Sequence, residues 1–264
     1  MQDAAKYLFE PIDHGSVADA VVEQIETLIV AGVLKEGSRL PSEREMAELF
    51  DVSRPKLREA LKRLEDQDLL QVRHGEGSVI APLIGKALSP ALMDLYARHP
   101  VAFFDYLEYR REQESFAARL AAERATPADK EILSRIMADM VAAHEADDSK
   151  AAQRADINLH SAIVDASHNS TLIHMMGSVY DLTKRGVFYN RDFLRAVDST
   201  GEALLSQHLA IGEAILKGDP QAADTAARAH IDFVEQSFRV GQEKSKREII
   251  AKKRRILSEP KSSR

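Results

Sequence analysis

The sequence predicts a mostly α-helical protein in two parts, a small α+β domain followed by an all-α helical bundle. Three observations predict it. Residues 39 to 82 read "RLPSEREMAELFDVSRPKLREALKRLEDQDLLQVRHGEGSVIAP", a short capped helix, a turn, an arginine-bearing helix and a glycine-containing hairpin in that order. Glycine, proline and β-branched residues concentrate early in the chain. Beyond residue 101 the pattern is alanine-, leucine- and glutamate-rich with helical spacing and no strand alternation.

The first helix is expected from about Ser16 to Ala31, with Val21, Ile25, Leu28 and Ile29 on its apolar side and Gly32 as its stop. Ser42 followed three residues later by Glu45 is a capping box, and Met46, Leu49 and Phe50 give that short helix an apolar face. Asp51 and Val52 make the turn. Ser53 is expected to cap the next helix, Pro55 sits in its first turn, and Leu57, Ala60, Leu61 and Leu64 form its buried stripe. "LLQV" and "SVIA" read as strands around "RHGEG". Together these elements define a winged helix-turn-helix.

Arg54 and Arg58 lie four apart near the N-terminal end of the second helix, the end of a recognition helix that enters the major groove. Arginine is the commonest bidentate reader of guanine. Charge alone is a weaker signal: between Arg54 and His74 six Lys/Arg face four Asp/Glu, and the whole chain of 264 residues carries a formal net charge of -6.

"APLIGKALSP", residues 81 to 90, punctuated by Pro82, Gly85 and Pro90, reads as a linker. The expected division is 1–82 for the winged domain, 83–100 for the connecting segment, 101–240 for the helical domain and 241–264 for a basic tail. About six helices are expected in the second part. One runs through "AFFDYLEYRREQESFAARLAAERA"; the next opens on Thr126, Pro127 and Asp129, another capping-box pattern. Others cover roughly 148–166, 170–190 and 199–217, and the last begins at "GDPQAAD".

No run of about 18 apolar residues occurs, so no membrane span is expected. The N-terminus lacks a signal-peptide pattern, and Cys 0 excludes disulfides and thiolate metal sites, so a reducing, cytoplasmic location is expected.

"DINLH" stacks Asp156 and His160 one above the other on a helix face, and His208 and His230 lie on the two final helices. Three imidazoles and a carboxylate would suit Zn, Ni or a similar divalent ion in a bundle core. Taken alone, the residues are a weak signal, since such histidines are more often partly buried and held by hydrogen bonds. His168 and His174 have no partner at metal-ligand spacing and read as structural. Seven Lys/Arg between Lys244 and Arg255 fit either a solvated helix end or extra phosphate contact.

The run from Leu40 to Ile80 resembles the DNA-binding domain of the GntR family of bacterial repressors, and the helical part resembles the FadR-type (FCD) effector domain. "FDVSRPKLREALKRLE", "RHP…YLEYRREQESFAA" and "EKSKREIIAKKRR" are most similar to the branch of pyruvate dehydrogenase complex repressors. The resemblance implies DNA contacts by Arg44, Arg54, Arg58, His74 and Gly75, and a homodimer on a palindromic operator in double-stranded DNA. It also implies a metal held by Asp156, His160, His208 and His230, with Leu159 where the family often has phenylalanine. Arg110, in an R-x3-E pattern with Glu114, is implied as the clamp for a small carboxylate effector completing the metal's coordination. Pyruvate is the first expectation, with lactate or glycolate behind it. The expected function is a ligand-controlled transcription repressor. A metal-dependent hydrolase using the same ligands is the rival, and it lacks a general base beside them.

Overall fold

The computed structural model describes residues 16–73, 77–83, 95, 99–184 and 200–258. Chain contacts divide it into two compact units, residues 1–85 and 86–264.

In the first unit, α1 (Val17–Val30) starts at a capping box in which Asp19 reaches back to the Ser16 backbone, a pairing the sequence reading did not single out. It stops at Gly32, whose φ of 71° is costly for a side-chain-bearing residue. Ala18, Val21, Val22, Ile25 and Ile29 are buried. Leu28 is not: it lies 100° around the helix from Ile29, at the edge of the stripe, and is 36% exposed.

Helix α2 (Glu43–Leu49) opens on the expected Ser42–Glu45 capping box, with the Ser42 N–H donating to Glu45 at 2.9 Å. Its buried side is Met46 and Ala47, while Leu49 is 76% exposed. Two positions past Ala47 is roughly 200° around a helix, so Leu49 points away from the core, contrary to expectation. Asp51, at φ 51°, makes the turn in the left-handed region that aspartate tolerates. Helix α3 (Arg54–Asp66) buries Leu57, Ala60, Leu61 and Leu64 as expected. Ser53 holds its N-cap position, but its hydroxyl makes no capping bond; Pro55 in the first turn leaves fewer N–H groups to satisfy.

Strands β1 (Leu70–Arg73) and β2 (Gly77–Ile80) pair antiparallel, Leu70 opposite Ile80 and Arg73 opposite Gly77. Residues 37–40 line the other edge of β2: Leu40 N–H donates to Ser78, Ile80 N–H to Ser38, and Gly37 N–H to Ile80. Leu40, Leu70 and Ile80 thereby join α1 and α3 in one core with Leu57 and Leu64. Each fully buried leucine contributes about 1.5–3 kcal/mol relative to an exposed one.

The second unit contains α4 (Pro100–Arg124), α5 (Pro127–Glu145), α6 (Ser149–Ala166), α7 (Ser170–Lys184), α8 (Thr200–Lys217) and α9 (Pro220–Ser258). Thr126 and Asp129 form the expected capping box for α5. Gly218, at φ 71°, separates α8 from α9. Helix α4 touches α6, α7, α8 and α9, and Leu107, Ala117, Ala118 and Ala121 are buried together with the polar Arg110, Glu114 and Ser115. α5 lies against α6 and α8, and α8 against α9. Helix α9 runs unbroken across residue 240, so the basic segment continues the element that carries His230. The helix expected to reach residue 190 is described through Lys184; residues 185–190 lie outside the described residues.

Candidate functional site

Three helices converge on one buried cluster. The i, i+4 spacing on α6 stacks Asp156 and His160, α8 brings His208, and α9 brings His230. The three histidines are 5%, 2% and 3% exposed. One ligating atom from each lies within 4.8 Å of the others. His208 Nε2 is 3.2 Å from His160 Nε2 and 3.1 Å from Asp156 Oδ1, and His160 Nε2 is 4.0 Å from that oxygen. Donors about 2.0–2.1 Å from a common zinc-sized ion stand roughly 2.9–3.4 Å apart, so His208 is already at coordinating separation from both His160 and Asp156.

The opposite ring nitrogens are occupied in the way ligands require. His160 Nδ1 donates to Glu114 Oε2 at 2.8 Å, and His230 Nδ1 to Gln207 Oε1 at 3.2 Å. Both bonds leave Nε2 facing the cluster, the usual arrangement of metal-binding histidines. The sequence reading placed Glu114 beside Arg110 but did not connect it to His160, and it missed Gln207. Such partners come from other helices, and no spacing within one helix reveals them.

Electrostatics follow from burial and pairing. Burial opposes the charge on Asp156, but the His208 hydrogen bond and the surrounding imidazoles hold its carboxyl well below the usual range. Burial likewise opposes the charge on Glu114, which Arg110 and His160 depress. Burial lowers His208, and burial with the neighbouring imidazoles lowers His230 strongly, so both favour the neutral, ligating form. His160 is opposed by burial yet raised by Glu114.

Arg110 is buried rather than displayed on the surface. Its Nε donates to Glu114 Oε1 at 2.6 Å, and its guanidinium lies 5.7 Å from the Tyr106 ring centre. A carboxylate effector would therefore have to meet its terminal nitrogens. Beside this pair, Glu114, His160, Tyr180, Ile163 and Ile211 line a cavity with room for roughly one water. Among the described residues the buried Tyr180 hydroxyl there has no hydrogen-bond partner. Outside the cluster, His168 Nε2 bonds Asp129 at 2.9 Å, a structural role as expected.

In the first unit Arg54 and Arg58 project from the start of α3 with side chains 57% and 61% exposed. Both converge on one acid of the preceding helix: Glu43 Oε2 accepts from Arg58 Nε at 2.7 Å and lies 3.8 Å from Arg54. Arg44 is exposed on α2. His74 and Gly75 lie outside the described residues.

A helix-turn-helix with a wing, in a chain whose other unit is helical with a buried polar cluster, defines a DNA-binding regulator. Residues 17–80 match the model for bacterial regulatory proteins of the gntR family, and residues 105–233 match the FCD domain. The chain is 34% identical to the "Putative L-lactate dehydrogenase operon regulatory protein" of Escherichia coli (strain K12), over 84% of this chain and 86% of that one. It is also 34% identical to the Glc operon transcriptional activator of the same strain, over 84% and 89%. With the transcriptional repressor NanR of Citrobacter rodentium it shares 30%, over 90% and 91%. Among solved structures, a Streptococcus agalactiae GntR protein is similar with a TM-score of 0.50 and 25% identity, over 83% of this chain and 99% of that one. The chain belongs to the GntR family of transcription regulators, with an FCD domain as its second part. This family consists of regulators rather than enzymes. No helix among the described residues is long and apolar enough to cross a membrane.

Proposed function

We propose that the chain is a ligand-responsive repressor of organic-acid metabolism genes, working as a cytoplasmic homodimer on a palindromic operator. Residues 1–82 would bind DNA through Arg44, Arg54, Arg58, His74 and Gly75. Residues 101–240 would bind a divalent ion, zinc or nickel, through Asp156, His160, His208 and His230. The observation that carries this reading is the 3.2 Å approach of His160 Nε2 and His208 Nε2 beside Asp156, in a chain with a complete helix-turn-helix.

A bound ion supplies fixed positive charge and open positions for a carboxylate and an α-oxygen. Glu114 and Gln207 orient His160 and His230 for that task. Arg110 would meet the effector's carboxylate with its terminal nitrogens. The cavity beside Tyr180 is too small for a three-carbon acid, so an effector entering there must displace side chains. It acts as a switch only by binding the DNA-releasing arrangement more tightly than the DNA-binding one.

Among effectors, the name of the lactate dehydrogenase operon relative favours a 2-hydroxy acid such as lactate ahead of pyruvate, with glycolate as the nearest alternative of the same class. The test is an anisotropy titration at fixed salt on DNA fragments selected from the genome by the full-length protein. It is run with and without lactate, glycolate and pyruvate, on ion-replete and chelated protein. Release by one acid, lost on chelation, is expected. Binding indifferent to all three acids removes the effector assignment, and tightening by an acid makes the protein an effector-dependent binder instead of a released repressor.

A further inference from the structure

We propose that Glu43 is a specificity-determining residue of the DNA interface, holding Arg58 in a reading posture, drawing Arg54 toward it, and resisting their use as mere phosphate contacts. The proposal rests on the DNA-reading role proposed above for those two arginines.

Glu43 sits in the first turn of α2, and its carboxylate reaches across the turn to α3. The bond to Arg58 Nε, at 2.7 Å, fixes one edge of that guanidinium, and Arg54 stands 3.8 Å from the same oxygen. One acid thus fixes Arg58 by a hydrogen bond and attracts an Arg54 terminal nitrogen at longer range, at the end of the helix that would enter the groove. Stability does not explain the arrangement, because ion pairs this exposed contribute little to folding. Affinity for nucleic acid does not explain it either. A carboxylate among residues that face phosphates is repelled by them, and it competes with phosphate for the same guanidinium N–H groups.

What the arrangement does is discriminate. An arginine tethered through Nε keeps its terminal nitrogens pointed one way, and those nitrogens can still form the two-pronged bond to a guanine edge. On a wrong sequence the tethered Arg58 finds no base acceptor, and it must break from Glu43 to reach the backbone, while Arg54 leaves only the looser attraction of the same carboxylate. Non-specific binding is therefore weakened more than specific binding, which widens the ratio between them.

The test compares full-length parent, Glu43→Gln and Glu43→Asp on the tightest genomic fragment and on a scrambled fragment of equal length, across a salt series. Glu43→Asp keeps the negative charge at the helix start but is one methylene too short to reach Arg58. Both variants are expected to narrow the specific-to-scrambled affinity ratio by about fivefold or more, roughly the strength of one charge contact near the surface. In Glu43→Gln the scrambled fragment should gain affinity and its logarithmic salt slope should steepen by up to about one unit. Arg54→Ala and Arg58→Ala run alongside. If those two bind the selected fragment as the parent does, the reading role of the arginines falls, and Glu43 falls with it. If they lose affinity while Glu43→Gln or Glu43→Asp keeps the parent ratio, the Glu43 proposal alone is overturned. Unchanged melting temperatures separate either result from a folding defect.

Discussion

Glu114 joins a buried imidazole to a buried guanidinium: one oxygen accepts from His160 Nδ1 at 2.8 Å while the other accepts from Arg110 Nε at 2.6 Å. A single carboxylate on α4 therefore orients a candidate ligand and neutralises a buried guanidinium. Glu114→Gln keeps the shape but cannot do both. Loss of such a partner usually costs about 10–100-fold in metal affinity. Leaving Arg110 unpaired should also destabilise the unit by about 3–5 kcal/mol. Competition against a chromophoric chelator reads the first effect and denaturant unfolding the second; parent-like values in both would remove Glu114 from the site.

An ion bound only by the folded state stabilises it. At a hundredfold excess over its dissociation constant the gain is about 2.7 kcal/mol. Zinc or nickel should therefore raise the unfolding midpoint of the parent, and a chelator should reverse the rise. His208→Ala and His230→Ala are expected to abolish the response, together with any effect of organic acids on DNA binding. A full ion-induced shift in either variant would place the ion elsewhere.

On a specific DNA site, Arg54→Ala and Arg58→Ala should each weaken binding by about 1–3 kcal/mol and relax preference at one base pair. Arg44→Ala tests the remaining exposed arginine of the proposed set. A uniform loss across all sequences would identify a phosphate contact instead.

Asp129 gives a pH dependence that is separate from the cluster. Burial opposes its charge, but hydrogen bonds from Thr126 and His168 hold its carboxyl below the ordinary 3.8. Because the folded value lies beneath the unfolded one, this stabilisation is complete above about pH 5. It is lost as pH falls through the folded value. Loss of such a cap costs about 1 kcal/mol at neutral pH. The stability gap between parent and Asp129→Ala should be constant from pH 7 to pH 5 and shrink below about pH 4. A gap that widens on acidification would contradict the assignment.

Much of this arrangement was readable because it is local. The Ser42–Glu45 and Thr126–Asp129 boxes, the stripe from Leu57 to Leu64, and the stacking of Asp156 with His160 all follow from spacing within one element. His208 and His230 were found by residue type, and resemblance supplied the reason to join them to α6. What escaped depends on contacts between elements. Glu114 meeting His160, Gln207 meeting His230 and Glu43 meeting Arg58 each cross from one helix to another. Leu28 and Leu49 are apolar yet exposed, because they lie around the helix from the side that the neighbouring elements cover, and residue type alone does not show which side that is.

Helix α9 behaves as two materials within one element. Through Gly241 its residues alternate between buried and exposed as a bundle member's should, with Ile231, Val234 and Phe238 buried. Beyond it, Ile249 and Ile250 are half exposed and no described residue is buried. A helix of that length without tertiary cover is marginal in water. Its amides should therefore exchange with deuterium through local fraying, whereas those around His230 must wait for the bundle to open. Exchange along this one helix thus forms a built-in gradient, fast at the basic end and slow at the histidine. Anything gripping the lysines and arginines would slow only the fast end, and anything gripping the cluster only the slow one.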